Sequence, residues 1–214
     1  MKAVIFDLDG TLLNTLDDLA DATNYALAQM GYPTLTREEV CQAVGNGVAK
    51  LIERSVPKET EEKDIEKTLA IFKKQYALHS KDKTQLYEGV PDMLAGLKER
   101  GIQMAIVSNK FHGAVLELKK IYFEDYIDVA LGEQEEKGIR KKPAPDLVNR
   151  ALELLGCTKE DAVYVGDSDV DIETAKNSGL PCISVTWGFR GEKFLKEHGA
   201  TLIIDRPEEI FTLF

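Results

Sequence analysis

The chain has 214 residues, with 27 basic and 37 acidic side chains and a formal net charge of −10. That length supports one substantial core, or a core with a smaller satellite. A content of 43% hydrophobic and 30% charged residues fits a folded globular protein and excludes a disordered one. The acidity argues against nucleic acid and anionic membranes as partners, because both are bound through basic surfaces. The cysteines (Cys41, Cys157 and Cys182) are widely spaced and form no Cys-x-x-Cys pair, so neither a disulfide framework nor a zinc knuckle is expected. The chain turns acidic at Asp7 before a signal-peptide apolar region can develop, and no apolar run approaches the ~20 residues of a membrane span. The expected location is the reducing cytoplasm.

In chain order, residues 3–8 read as a short buried strand running into Asp7, Asp9 and Gly10. Residues 16–30 show helical spacing of Leu16, Leu19, Ala20, Ala26 and Leu27, with Gly31 after them. Thr36 with Glu39 predicts a capping box that opens a second helix. Gly45-Asn46-Gly47 breaks that helix, 48–54 resumes it, and 60–80 reads as a long charged helix. This block carries no strand signal and is expected to pack on itself.

From Gly89 onward, strands at 102–108, 129–131, 162–165, 182–185 and 202–204 alternate with helices at 91–100, 112–121, 145–155, 169–178 and 193–198. Short β-branched runs between helices predict a parallel sheet covered on both faces. The expected fold is therefore α/β: a Rossmann-like parallel-sheet core (1–14 and 85–214) with a small all-helical cap domain (15–84) inserted after the first strand.

Four segments carry chemistry. They are Asp7-Leu8-Asp9-Gly10-Thr11, Ser108-Asn109-Lys110, Lys142-Pro143 at the start of a helix, and Gly166-Asp167-Ser168-Asp169-Val170-Asp171. Open α/β sheets bind ligands beyond the carboxyl ends of their strands, so the four are expected to meet in one pocket. Crowded carboxylates repel unless a divalent cation neutralises them, and Mg²⁺ prefers hard oxygen ligands. With a lysine and a hydroxyl added, the set suits phosphoryl transfer. One carboxylate can attack phosphorus, and a second can move the proton of the leaving oxygen and then that of water.

These segments resemble, in order, the four signature motifs of the haloacid dehalogenase superfamily, and the resemblance spans essentially the whole chain. It implies that Asp7 is the nucleophile and a Mg²⁺ ligand. Asp9 would be the general acid/base, with its backbone carbonyl on the metal. Ser108 would bind the phosphoryl group, helped by the Asn109 amide and Thr11. Lys142 would stabilise the aspartyl phosphate, Asp167 would hold Mg²⁺, and Asp171 would orient Lys142 or a metal-bound water. The long insert between Asp9 and Ser108 resembles the branch with a helical cap after the first motif. Val44-Gly45-Asn46-Gly47, Lys142-Pro143-Ala144-Pro145 and Val185-Thr186-Trp187-Gly188 look most like phosphoglycolate phosphatases, which cleave 2-phosphoglycolate to glycolate and phosphate. That likeness makes Gly45, Asn46 and Gly47 substrate-reading residues and a small phosphorylated metabolite the partner, with the chain a monomer or a homodimer.

Plainer readings stand beside these. Asp7, Asp9 and Ser108 also suit strand-end turns and helix N-caps, and Lys142 follows Arg140 and Lys141 in a basic run. Asp169 is expected to be exposed on a first helical turn, where it suits the dipole. Lys50 and Arg54 fit a solvated face or a substrate carboxylate. His79, His112 and His198 have no metal-ligand spacing, and Trp187 and Phe189 fit core packing. Rival functions are a phosphomutase of the β-phosphoglucomutase type, a pyrophosphatase or nucleotidase, and a non-catalytic receiver-like phosphate sensor.

Overall fold

The computed structural model describes residues 1–213. They form two compact units, residues 1–13 with those from 86 onward, and residues 14–85. The chain opens with β1 (Ala3–Phe6), every residue of which is fully buried. It stops at Phe6 rather than Leu8 because Leu8 already belongs to a turn, its carbonyl accepting the N–H groups of Leu12 and Leu13 at 3.1 and 3.0 Å. β2 (Leu13–Asn14) follows.

The second unit holds α1 (Leu16–Gln29), α2 (Arg37–Ala43), α3 (Val48–Ser55) and α4 (Glu62–His79). α1 packs on the other three. The capping box of α2 is present: Glu39 N–H donates to Thr36 Oγ1 at 3.2 Å, and Thr36 N–H to Glu39 Oε2 at 2.7 Å. α4 buries Thr68, Phe72 and Tyr76, one turn apart, and the two rings stack at 5.3 Å. Ile65 and Leu69, on the same expected stripe, are only half-buried. β3 (Gln85–Leu86) pairs with β2, a two-residue ribbon too short to leave a periodic signal.

The remainder alternates as expected: α5 (Val90–Glu99), β4 (Gln103–Phe111), α6 (His112–Tyr122), β5 (Val129–Glu133), α7 (Asp146–Leu155), β6 (Ala162–Gly166), α8 (Asp169–Ser178), β7 (Cys182–Val185), α9 (Glu192–Glu197) and β8 (Ile203–Ile204). The six strands β5-β4-β1-β6-β7-β8 form one sheet, and every pairing in it is parallel. Side chains alternate across it. Val4, Phe6, Met104, Ile106, Val163 and Val165 face one apolar layer, while Ile5, Ala105, Val107 and Tyr164 face the other. Each fully buried large side chain contributes ~2 kcal/mol, which makes a one-residue slip of register prohibitive. β1 lies between β4 and β6, so its carboxyl end is flanked by the ends of both.

Two expectations need correction. β4 runs three residues beyond Ser108 to Phe111, and its register against β5 shifts between Val107 and Phe111. Ser108, Asn109 and Lys110 therefore stand on an irregular strand end, and Ser108 is no helix N-cap. Lys142-Pro143 does not start a helix. Pro145 is the N-cap of α7, and Lys142-Pro143, joined by a cis peptide, lies in the loop before it. Among the described residues no helix is long and apolar enough to cross a membrane.

Candidate active site

The sequence from β1 leads straight into the site. Asp7 N–H donates to the Val165 carbonyl (2.8 Å), carrying the ladder one residue past the strand. Asp7 Oδ1 accepts the Leu8 N–H at 2.7 Å and the Lys142 ammonium at 2.8 Å. From the neighbouring strand, β6 delivers Asp167 and Ser168, and α8 starts at once with a second capping box. Asp171 Oδ2 accepts from Ser168 N–H at 3.1 Å and from its hydroxyl at 2.6 Å, which turns Asp171 back toward the strand ends. One oxygen from each of Asp7, Asp167 and Asp171 lies within 4.8 Å of the others.

Two glycines make room for Asp167. Gly10, at φ +89°, would place a Cβ 2.4 Å from Asp167 Oδ2. At Gly188 a Cβ would sit 2.2 Å from the Gly10 carbonyl and 2.4 Å from Asp167 Cβ. The loop that Gly188 begins returns Phe189, whose N–H donates to Asp167 Oδ2 at 2.7 Å. Thr11 is buried with its hydroxyl 3.4 Å from Asp167 Oδ1, while its carbonyl accepts the Trp187 indole N–H at 2.9 Å.

Lys142 is buried at the centre. Its ammonium reaches Asp7 Oδ1 and Asp171 Oδ1, both at 2.8 Å, and the Tyr164 hydroxyl at 3.1 Å, so its three N–H bonds have three acceptors. Tyr164 had no role in the sequence reading, where its strand registered only as apolar. Asn109 fixes the Lys142 backbone, accepting its N–H at 2.8 Å and donating to its carbonyl at 3.1 Å. The Asn109 side chain is thus a clamp on the lysine, a contact that spacing along the chain could not reveal.

A second buried lysine was missed. Lys110 holds both oxygens of Asp9, at 2.8 and 3.1 Å, and its backbone N–H donates to Ser108 Oγ at 3.2 Å. The signal available was its place beside Ser108 and Asn109, at the end of a strand otherwise buried.

The electrostatics are those of carboxylates in excess. Burial, and then the Asp171 charge, push the Asp7 carboxyl up to about 7 against the pull of Lys142. Burial, Asp171 and Asp7 raise Asp167 well above the usual carboxylate range. Burial acts to lower Lys142, but Asp171 and Asp7 outweigh it and hold its ammonium well above the ordinary value. One ammonium among three buried carboxylates leaves negative charge uncompensated, at a cost that a divalent cation would remove. The donors are hard oxygens with no sulfur or imidazole, which fits Mg²⁺. Both Asp171 oxygens are engaged by Lys142, Tyr164 and Ser168, which suits an orienting residue better than a ligand.

The α/β unit therefore brings together Asp7, Asp9, Thr11, Ser108, Asn109, Lys142, Asp167 and Asp171. Gly45, Asn46 and Gly47 belong to the helical unit, between α2 and α3. There Arg54 donates to the Ala43 carbonyl at 3.0 Å and to Asn46 Oδ1 at 2.7 Å, so it braces this loop. Lys50 pairs with Glu53 at 2.6 Å on the surface. Asp169, expected to be exposed, is half-buried in the first turn of α8.

The profile of the haloacid dehalogenase-like hydrolases matches residues 4–185. The chain belongs to this family. Among relatives of this hydrolase, phosphoglycolate phosphatase 1 of Pseudomonas aeruginosa is 34% identical over 219 residues, covering 98% of this chain and 78% of its own. A crystal structure from Lactobacillus delbrueckii subsp. bulgaricus, provisionally assigned as a phosphoglycolate phosphatase, superposes with a TM-score of 0.93. It is 38% identical and covers 98% of this chain and 96% of that one. CbbY from Rhodobacter sphaeroides, solved in complex with phosphate, has a TM-score of 0.74 at 28% identity, covering 98% and 96%.

Proposed function

We propose that this hydrolase is a Mg²⁺-dependent phosphatase that cleaves 2-phosphoglycolate to glycolate and phosphate through an aspartyl phosphate. The observation that carries the chemistry is the Lys142 ammonium between Asp7 and Asp171 in a cluster of buried, under-compensated carboxylates. The names of the relatives support the substrate.

The Ser108 hydroxyl and the Asn109 backbone N–H bind the phosphoryl oxygens. Asp7 attacks phosphorus, and Asp9 gives its proton to the departing ester oxygen. Asp9 then takes a proton from the water that attacks the acyl phosphate, and phosphate leaves. Lys142 offsets the charge on the Asp7 oxygen throughout, while Asp171 and Tyr164 keep its ammonium in place. Asp7, Asp167 and the Asp9 carbonyl would hold Mg²⁺, which supplies positive charge to phosphoryl oxygens. The partner is a small phosphorylated metabolite.

The test is phosphate release from 2-phosphoglycolate, sugar phosphates, nucleotides and pyrophosphate, each with Mg²⁺ and with a chelator. We expect 2-phosphoglycolate to lead in kcat/KM and the chelator to abolish turnover. Asp7→Asn should lower kcat by about 10³-fold or more. Turnover of Asp7→Asn at the normal rate would remove the nucleophile, and a preferred pyrophosphate or nucleotide would replace the substrate.

A further inference from the structure

The α/β unit buries a lysine that the steps above do not use. Lys110 is 3% exposed at its side chain, and Asp9 16%. A buried ammonium is retained only where it is paired. This one is paired with the carboxylate that has to move a proton, and it holds both of its oxygens, at 2.8 and 3.1 Å. The same residue supports Ser108 through its backbone N–H, at 3.2 Å. One residue on the irregular end of β4 therefore links the hydroxyl that would bind the phosphoryl group to the carboxylate that would protonate the leaving oxygen. The link joins the end of β4 to the turn that follows β1.

We infer that Lys110 is a positioning residue that aims the Asp9 carboxyl group at the ester oxygen, an inference that rests on the acid/base reading of Asp9. In the step concerned, a bond forms between an Asp7 oxygen and phosphorus while the phosphorus–oxygen bond of the ester breaks. The proton on Asp9 passes to that oxygen, leaving an alcohol and the Asp9 carboxylate. A misplacement of the acid by even about 1 Å is enough to slow such a transfer severely. An ester whose leaving group departs as a stable anion has no need of that proton.

The experiment compares kcat/KM for 2-phosphoglycolate and for 4-nitrophenyl phosphate in Lys110→Met, which removes the ammonium and keeps the backbone N–H on Ser108. kcat/KM reports only steps up to formation of the acyl phosphate, so the shared hydrolysis step does not mask the difference. We expect about a 10- to 100-fold loss with 2-phosphoglycolate and less than about 3-fold with the nitrophenyl ester. Equal losses on both esters would make Lys110 a general attractor of phosphate, and no loss would make it dispensable. Either result overturns the assignment. Lys110→Gln, too short to reach Asp9, repeats the test if the Met variant does not fold. If neither variant folds, the pair is structural only and the inference fails. Asp9→Asn is measured in parallel: if it lacks the same selectivity between esters, the acid/base reading itself has failed, whatever Lys110 does.

Discussion

Both units bury aspartate, and they treat it in opposite ways. In the helical unit Asp18 is buried on α1, and neutral donors surround its carboxylate. Lys83 N–H lies at 3.0 Å from Oδ1, and Thr84 N–H and hydroxyl lie at 2.8 and 2.7 Å from Oδ2. Those bonds tie the start of α1 to the segment that leaves α4, and the charge is satisfied by the fold itself. In the α/β unit Asp7, Asp167 and Asp171 converge within 4.8 Å and share one ammonium. A buried carboxylate that its own donors satisfy is part of the scaffold, whereas three carboxylates that face one another around a single ammonium describe what is to be bound.

The sharpest way to break this contrast is to remove the shared ammonium. Lys142→Met should lower kcat by at least about 100-fold and cost about 3–5 kcal/mol of stability, because Asp7 and Asp171 lose their partner. Denaturation midpoints and phosphate release measure the two effects. An active variant of normal stability would show that the cluster needs no cation.

Metal binding should come next in size, and it should depend on pH. The Asp7 carboxyl is raised from 3.8 to about 7 in the folded protein, which therefore holds this proton more tightly than the unfolded chain does. Its contribution to stability is complete below about pH 4 and is lost as pH rises through about 7. Mg²⁺ competes with that proton. Saturating Mg²⁺ should raise Tm by about 5–10 °C at pH 8, and by much less at pH 5. An equal shift at both pH values would separate Asp7 from the metal.

The smallest effect belongs to the scaffold aspartate. Asp18→Asn turns an acceptor into a donor facing N–H groups and should cost about 2 kcal/mol, or about 4–8 °C in Tm. The Mg²⁺-induced shift should be unchanged in this variant. A changed shift would erase the distinction between the two aspartates.

Much of this was legible along the chain, for identifiable reasons. The apolar runs of β1, β4, β6 and β7 announce strands buried on both faces, and the amphipathic stripe of α7 and the capping box of α2 depend on neighbours close in sequence. The two-residue strands β2 and β3 have no period to read. The extension of β4 to Phe111 was hidden because Ser108-Asn109-Lys110 is polar, and the register shift there is settled by pairing with β5. Pro143 pointed to a helix start because proline suits a first turn, but the chain needs three more residues to reach α7.

The same boundary divides the site. Asp7, Asp9, Ser108, Asp167 and Asp171 are recognisable because each stands after a buried run or beside a helix start, a relation of near neighbours, whereas the role of Lys142, in a loop, rests on the resemblance of its motif. That Lys142 has Tyr164 as its third acceptor, that Asn109 clamps it, and that Lys110 holds Asp9 are contacts between residues up to 101 positions apart. Local pattern sets which residue types reach the strand ends. Which ammonium meets which carboxylate is decided only when the parallel strands are laid side by side: β4 beside β1 carries Lys110 to Asp9, and Asn109 at the end of β4 clamps the loop that carries Lys142 to Asp7.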